Sequence, residues 1–399
     1  MPSAATDHAA DLTVPLDDPE FYAGDPFPHY ARLRREAPVA WNPRLGYWAL
    51  SRHAEVMAVS RDSETFCSRL GILTFEIGVE YPTPPTMMHT DPPEHTRYRK
   101  LVQPGLAPSV IRSLEAKVRM KARELVAAVV PGEAVDFVEA VAVPFPLMII
   151  SALLGIPDDD WPRFFAWSEA AIPGATDWPE EERQRLMDEM QAYLLEATLT
   201  RRGNPVGNDI ISVLANVEVD GHELSDAELV MFLNQLLVAG NETTRNMISG
   251  GMWALAERPD QWNRLVRAPE LIPSAVEEWL RWTTPVIAFM RTATRATELA
   301  GQPIAAGDPV LMLYASANRD EAEFGPTAAD FDLARDPNHH VAFGFGAHFC
   351  IGAALARLEG RVLLEELLAR FSTLEPAGPV ERTPSGIIAG VRSAPLLLA

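Results

Sequence analysis

Cysteine is almost absent from this chain: only Cys67 and Cys350 occur in 399 residues. Two thiols cannot build a disulfide framework of the kind that holds small secreted domains together. Basic charge is also short, with a formal net charge of −21. A surface of that sign argues against general affinity for nucleic acid or anionic membrane, both of which attract Lys and Arg. No apolar run reaches the roughly 20 residues that span a bilayer. The most apolar stretch, Val141 to Pro157, carries three prolines and is expected to be a core helix starting after Pro146. The N-terminus is acidic and lacks the basic and apolar regions of a secretory signal, so a cytoplasmic location is expected. There is no repeat, low-complexity tract or Gly/Ser linker. A single domain over residues 1–399 is therefore expected, with 1–15 disordered.

What is present is a composition fit for a large core, 47% hydrophobic and 22% charged. Most segments show helical rather than alternating periodicity. Start signals stand at Pro108-Ser109, Asp158 to Asp160 and Pro273-Ser274, and a stop at Arg258-Pro259. Strand signals are few: Tyr47 to Leu50, Glu298 to Pro303, Pro309 to Tyr314 and the apolar C-terminus. The pattern predicts a mainly α protein with a small β part.

One predicted helix is unusually long. Ser225-Asp226-Ala227-Glu228 forms a capping box, and the helical pattern then runs to Glu257, a rod of about 50 Å. Its middle, "AGNETTRN" at 239–246, is weak, because glycine costs up to about 1 kcal/mol in a helix interior and threonine hydroxyls compete for backbone carbonyls. Two readings are open. Another helix crosses closely there, or the helix carries a groove over a flat ligand with Glu242 and Thr243 facing it.

Cys350 lies in "HHVAFGFGAHFCIGAALARLE", residues 339–359, just before a predicted helix from Ile351 to Arg370. A helix N-terminus favours an anion and biases a thiol toward thiolate. Gly344, Gly346 and Gly352 let backbone approach a large planar group, and Phe343, Phe345 and Phe349 would keep water off. The alternatives are an inert buried cysteine, a nucleophile with a distant histidine base, and a zinc site from His339, His340, His348 and Cys350. The last lacks the paired spacing that closes a tetrahedron.

The pattern Phe343-x-x-Gly346-x-x-x-Cys350-x-Gly352, with His348 two before the cysteine, resembles the haem-binding signature of the cytochrome P-450 haem-thiolate monooxygenases. Three further motifs of that family occur in order: Asp91-Pro92-Pro93-x-His95-x-x-x-Arg99, Ala239-Gly240-x-Glu242-Thr243-Thr244, and Glu278-x-x-Arg281. The resemblance covers nearly the whole chain. It implies the cytochrome P-450 fold, a large helical domain with its long central helix over the haem and a small β-rich part.

The resemblance also implies roles. Cys350 would be the thiolate ligand of haem b, donating electron density that favours O–O cleavage. Ala239 and Gly240 would lie against the haem, with Phe343, Gly344 and Gly352 around the sulfur. Glu242 and Thr243, with Thr244 beside them, match the acid and alcohol pair that delivers protons through water. His95, Arg99, Arg291 and His348 would hold the propionates. Glu278 and Arg281, with Arg335 as third member, would lock the loop before Cys350.

The pocket wall would come from the loop at about Cys67 to Met88, from the helices between about Trp161 and Arg202, from Val238 and Ala239, from Val286, Ile287 and Phe289, and from Ile387 and Ile388. These are largely apolar, and the pattern is closest to actinobacterial sterol and terpenoid hydroxylases. Electrons would come from a separate ferredoxin and its NAD(P)H-linked reductase, since no flavin or ferredoxin segment is found in the sequence. His95 to Glu124 holds eight basic and two acidic side chains, and Arg97, Lys100 and Arg357 are expected to form an exposed basic docking patch on a monomeric enzyme. A peroxide-using haem-thiolate hydroxylase or decarboxylase would usually lack the acid and threonine of the long helix. A non-catalytic haem or small-molecule binding protein would consume no NAD(P)H with any substrate.

Overall fold

The computed structural model describes residues 14–80, 86–157, 160–171, 178–207 and 209–399. The chain opens with α1 (Pro19–Ala23) and α2 (Phe27–Glu36), the hairpin β1 (Val39–Asn42) and β2 (Tyr47–Leu50), α3 (His53–Arg61) and the short β3 (Phe66–Cys67). Helices then dominate: α4 (Glu94–Val102), α5 (Pro108–Ala128), α6 (Pro144–Leu154), α7 (Trp161–Ala171), α8 (Glu180–Arg201) and α9 (Ile210–Ala215), with β4 (Ala134–Asp136) between α5 and α6. The central helix α10 (Asp226–Ala256) is followed by α11 (Pro259–Arg267) and α12 (Ile272–Thr283). Strands β5 (Ala288–Ala293), β6 (Thr297–Leu299), β7 (Gln302–Ile304) and β8 (Pro309–Leu313) come next, then the short α13 (Tyr314–Ala317) and α14 (Glu321–Phe324). After α15 (Ala353–Arg370) the chain closes on β9 (Leu374–Pro376), β10 (Glu381–Arg382), β11 (Val391–Ser393) and β12 (Pro395–Leu398).

The main sheet has the order β1-β2-β8-β5-β3, with β2 and β8 parallel and the other pairs antiparallel. A large core of helix-borne Leu, Ile, Val, Phe and Trp side chains surrounds α10, whose buried residues include Leu229, Phe232, Leu237, Ile248 and Leu255. Two smaller clusters flank the sheet. Among the described residues no helix is long and apolar enough to cross a membrane.

The structure adjusts several expectations. The apolar helix α6 begins at Pro144, not after Pro146, because proline is tolerated in the first turn, where backbone N–H groups have no partner. Helix α15 starts at Ala353, with Gly352 as its N-cap. The stretch expected as one strand near Glu298–Pro303 is the hairpin β6–β7, turned by Ala300 and Gly301, both at positive φ. Cys67, expected in a loop, is fully buried on β3 opposite Thr292. Asp158 and Asp159 of the helix-start signal lie outside the described residues, as do 1–13 of the expected disordered segment.

Helix α10 starts as its capping box requires. The Glu228 backbone N–H donates to Ser225 Oγ at 3.3 Å, and the Ser225 N–H donates to Glu228 Oε2 at 2.9 Å. The same carboxylate accepts from Arg97 Nη2 at 2.5 Å and Tyr98 Oη at 2.9 Å, tying α4 to the start of α10. Burial works to raise the Glu228 carboxyl, but the bonds from Arg97, Ser225 and Tyr98 outweigh it and hold the group at about 2.

A folded-state value below the unfolded one means the folded protein gives up this proton more readily. The resulting stability is complete above the ordinary carboxylate value of 4.5 and is lost as pH falls toward about 2. Glu228→Gln is expected to cost about 1 kcal/mol at neutral pH, given the partial exposure of the pair. The difference should shrink as pH drops through this window, which urea midpoints at pH 7, 4 and 3 will show.

Candidate active site

The loop before α15 is shaped to present Cys350. The Cys350 N–H donates to the Phe343 carbonyl at 2.9 Å, and Gly344 N–H to Val341 at 2.9 Å, closing a tight loop of backbone. Gly344 and Gly346 hold positive φ, and a Cβ at Gly346 would collide with the Ser60 carbonyl, so glycine is required there. A Cβ on Gly352 would stand 3.8 Å from Cys350 Sγ, so the absent side chain keeps that flank of the sulfur open.

Phe343 packs edge-on against Phe349 and beneath the Arg357 guanidinium. Phe345 and Phe349 are 37% and 38% exposed, so the expected water-excluding trio reduces to a half-buried Phe343. Burial pushes the Cys350 thiol up. The backbone N–H groups of Gly352 and Ala353 and the charges of Arg99 and Arg357 pull the other way without overcoming it. The expected bias toward thiolate from the helix terminus is thus outweighed in the protein alone, and a bound cation is what would tip it. No group of three or more His, Cys, Asp or Glu able to hold a metal ion occurs among the described residues, so the zinc alternative falls away.

Four basic side chains converge close to this loop. The rings of His95 and His348 lie 4.0 Å apart. His348 Nε2 is 3.2 Å from Ser68 Oγ, and Arg99 Nη1 donates to the Phe349 carbonyl at 2.7 Å. Arg291 is buried on β5, and among the described residues its guanidinium donates to its neighbour's carbonyl at Met290 alone. Burial, followed by repulsion from Arg99 and Arg291, lowers His95 to about 4. His348 falls to about 2 through burial and the nearby charges of Arg291, His95 and Arg99. Asp91 offers some opposing charge, but its carboxylate accepts from the backbone N–H groups of Ser68 and Arg69 and from the Arg69 guanidinium. Buried like charges repel strongly, so a group of this kind is built for an anion.

On α10, the weak middle has a close crossing on one face and an uncovered patch on another. Gly240 is the close crossing, where a Cβ would stand 3.1 Å from Ile150 of α6. Ala239 is exposed and Thr243 half-exposed within an otherwise buried stretch of the rod, leaving an uncovered patch at its centre. Thr243 Oγ1 donates to the Ala239 carbonyl at 2.6 Å. Glu242 and Thr244 are buried. Glu242 does not lie beside the Thr243 hydroxyl as a pair facing one groove. It bonds Arg245 and Asn246 on the side of α10 that meets α7, because 100° of helix separates neighbouring residues.

The Glu278–Arg281 pair of α12 is entirely buried, with two bonds of 2.8 and 2.7 Å. Arg281 also donates to the carbonyls of Asn318, Ala328 and Asp330. Glu278 accepts from Arg335 Nε at 3.3 Å, Asn338 Nδ2 at 3.2 Å and the Asp332 N–H at 2.8 Å. Asn318 Oδ1 in turn accepts from the Val341 N–H at 2.7 Å. The chain leading to Cys350 is therefore pinned at both Asn338 and Val341.

Of the expected pocket wall, Val286 bridges Ile388, and Ile287 N–H donates to the Ile387 carbonyl at 2.8 Å, so these two segments lie side by side. Ile287 is core, while Val238, Val286, Phe289, Ile387 and Ile388 are partly exposed. Residues 81–85 and 172–177 of that wall lie outside the described residues.

The expected docking patch is not free charge. Arg97 is held by Glu228, Lys100 by Asp220 at 3.0 Å, and Arg357 by both oxygens of Glu277 at 2.7 and 2.9 Å. Sequence reasoning also missed Ser68 beside His348 and the pairing of Arg245 with Glu169. The first had no local signal, whereas Arg245 stands three residues after Glu242 on one helix face.

A glycine-opened cysteine, a four-membered basic cradle and an uncovered patch at the middle of α10 together fit a haem carried on a thiolate. The sulfur would meet the iron, and His95, Arg99, Arg291 and His348 would take the two propionates. Comparison with known proteins agrees. The family model described as Cytochrome P450 matches residues 270–396. Linalool 8-monooxygenase of Pseudomonas putida is 37% identical, over 96% of this chain and 98% of its own length. Steroid C26-monooxygenase of Rhodococcus jostii is 36% identical, over 94% and 82%. Mycobacterium marinum cytochrome P450 CYP268A2, solved in complex with pseudoionone, superposes with a TM-score of 0.87 at 34% identity, over 99% of this chain and 100% of its own.

The chain belongs to the cytochrome P450 family, and it is a haem-dependent monooxygenase. The two cysteines should separate cleanly in the reduced carbonyl complex. Cys67→Ser is expected to keep the strongly red-shifted Soret band of thiolate-bound haem and Cys350→His to abolish it. Loss of the band in Cys67→Ser would overturn the ligand assignment.

Proposed function

We propose that this enzyme hydroxylates an apolar, lipid-like small molecule of terpenoid or sterol type in the cytoplasm, drawing two electrons from a separate ferredoxin and its reductase. The observation that carries the substrate class is the apolar character of the expected wall residues Val238, Val286, Phe289, Ile387 and Ile388, which are partly exposed and offer no charge to a substrate. Such a pocket holds its ligand by burial and leaves few polar groups to orient it. Linalool and steroid oxidation by two relatives, and pseudoionone in a related structure, point the same way.

When bound, the haem supplies activation of O₂ and transfer of one oxygen atom to a C–H bond. Cys350 would hold it through the sulfur, and His95, Arg99, Arg291 and His348 would take its propionates. Thr243 Oγ1 keeps its proton on the Ala239 carbonyl, which leaves its oxygen lone pairs to accept from a water in the uncovered patch. Glu242, as the relay acid, passes protons toward that water and must be supplied with each one. For the ferredoxin, the internal partners of Arg97, Lys100 and Arg357 leave them poor docking charges, because an encounter at these sites must compete with a bonded carboxylate.

Screening acyclic terpenoids and steroids for a haem spin-state shift tests the substrate class. A shift with members of either set supports it, and shifts confined to charged polar compounds would overturn it. With the best ligand, Thr243→Ala is expected to bind normally while product formation falls about 10²-fold or more and peroxide accounts for the NAD(P)H consumed. Unchanged product per NAD(P)H would remove Thr243 from the relay.

A further inference from the structure

A buried polar cluster joins α7 to α10 behind the relay acid. Glu169, in the last turn of α7, Glu242 and Arg245 are 7, 5 and 9% exposed. Arg245 Nη1 lies 2.8 Å from Glu169 Oε1 and 3.2 Å from Glu242 Oε2. Asn246 Nδ2 donates to Glu242 Oε1 at 3.1 Å, and Asn241 Nδ2 donates to Ser168 Oγ at 2.9 Å. Among the described residues, Arg245 Nε, Asn241 Oδ1 and Asn246 Oδ1 have no hydrogen-bond partner, and Glu242 Oε2 has the Arg245 charge beside it without a hydrogen bond. Two carboxylates thus share one guanidinium away from solvent.

With both carboxylates ionised the cluster carries an uncompensated negative charge, and burial of such a charge is strongly unfavourable. One proton removes it. Position decides where that proton sits. Glu169 is at the C-terminal end of α7, where the helix dipole opposes negative charge, whereas Glu242 is in mid-helix and has Asn246 as a further donor. Among the described residues, Arg183 of α8 also lies at this end of α7, where it donates to the Ala170 carbonyl and is paired with Glu180. Burial pushes the Glu169 carboxyl above its ordinary value. Arg245 pulls it back only in part, and Glu242 adds to the rise.

We propose that Glu169 is held as the neutral acid in this contact and acts as a positioning residue for proton delivery, handing to the Glu242 carboxylate each proton that Glu242 then passes on. Both acids lie on one nitrogen of Arg245, so a single water spans the gap between them. The Glu169 O–H bond breaks, the proton passes to the Glu242 carboxylate, and Glu169 remains as a carboxylate on Arg245 until solvent returns a proton. Arg245 stays a guanidinium throughout, and no electron moves. This step rests on the reading of Glu242 as the relay acid.

The test uses haem-loaded wild type, E169Q and E169D. Infrared spectra in H₂O and D₂O at neutral pH detect the carbonyl stretch of a neutral carboxylic acid. Glu359, the other buried carboxyl group that burial pushes well up, should supply a band lost in E359Q and kept in E169Q. A second band is expected to vanish in E169Q. Because glutamine mimics the neutral acid, E169Q should keep the wild-type melting temperature and substrate affinity, while product per NAD(P)H falls about 10-fold and the solvent isotope effect rises. E169D should recover part of the loss. Bands unchanged in E169Q, or a large fall in its melting temperature, would show an ionised structural pair and overturn the proposal. So would a lost band with unchanged coupling. Failure of the relay reading looks different: the Glu169 band would be present while changes at Thr243 and Glu242 leave coupling intact.

Discussion

The ion pair between Glu278 and Arg281 is the constraint on which the site depends. Neither side chain has any exposure, and each is bonded from several directions. A buried pair is by itself weak evidence of stability, since desolvation offsets much of its attraction. Its effect here is positional. The carbonyls that Arg281 holds belong to Asn318, Ala328 and Asp330, and the donors on Glu278 come from Asp332, Arg335 and Asn338. Through these, α12 fixes a long irregular stretch of chain with little regular structure of its own. The loop of Cys350 continues directly from that stretch.

Charge in this protein is arranged against its average. An acidic chain gathers His95, Arg99, Arg291 and His348 at one place and buries His95 and Arg291. Burial, and after it the neighbouring positive charges, holds the two histidines well below their ordinary values. Elsewhere basic side chains are satisfied by carboxylates, as Arg97 is by Glu228 and Arg357 by Glu277. Burial raises the Glu277 carboxyl, but His340 and Arg357 together hold it at about 2. The contrast between satisfied pairs on the surface and the crowded cradle inside marks the cradle as the place where a dianionic ligand belongs.

Much of this was legible in sequence because the signals are local. The capping box at Ser225, the three-residue spacing of Glu278 and Arg281, and the glycines around Cys350 each encode a geometry within one turn of helix or one loop. What could not be read depended on distant partners. Arg97, Lys100 and Arg357 looked like free charge because Glu228, Asp220 and Glu277 lie far away in the chain. Cys67 looked like a loop residue because two residues of strand carry no periodicity. Glu242 and Thr243 were expected by resemblance to face one groove, yet adjacency on a helix turns side chains apart, and Arg245 and Asn246 hold Glu242 on the side of α10 that meets α7.

The most direct measurement of the account is the reduced carbonyl spectrum of Glu278→Gln at matched haem content. Removing one charge of a fully buried pair should cost about 3–5 kcal/mol of stability and release the chain that presents Cys350. The account therefore expects the strongly red-shifted thiolate band to be lost or greatly weakened. A full-strength band at wild-type stability would contradict it, because Cys350 would then be held in place by something other than this ion pair.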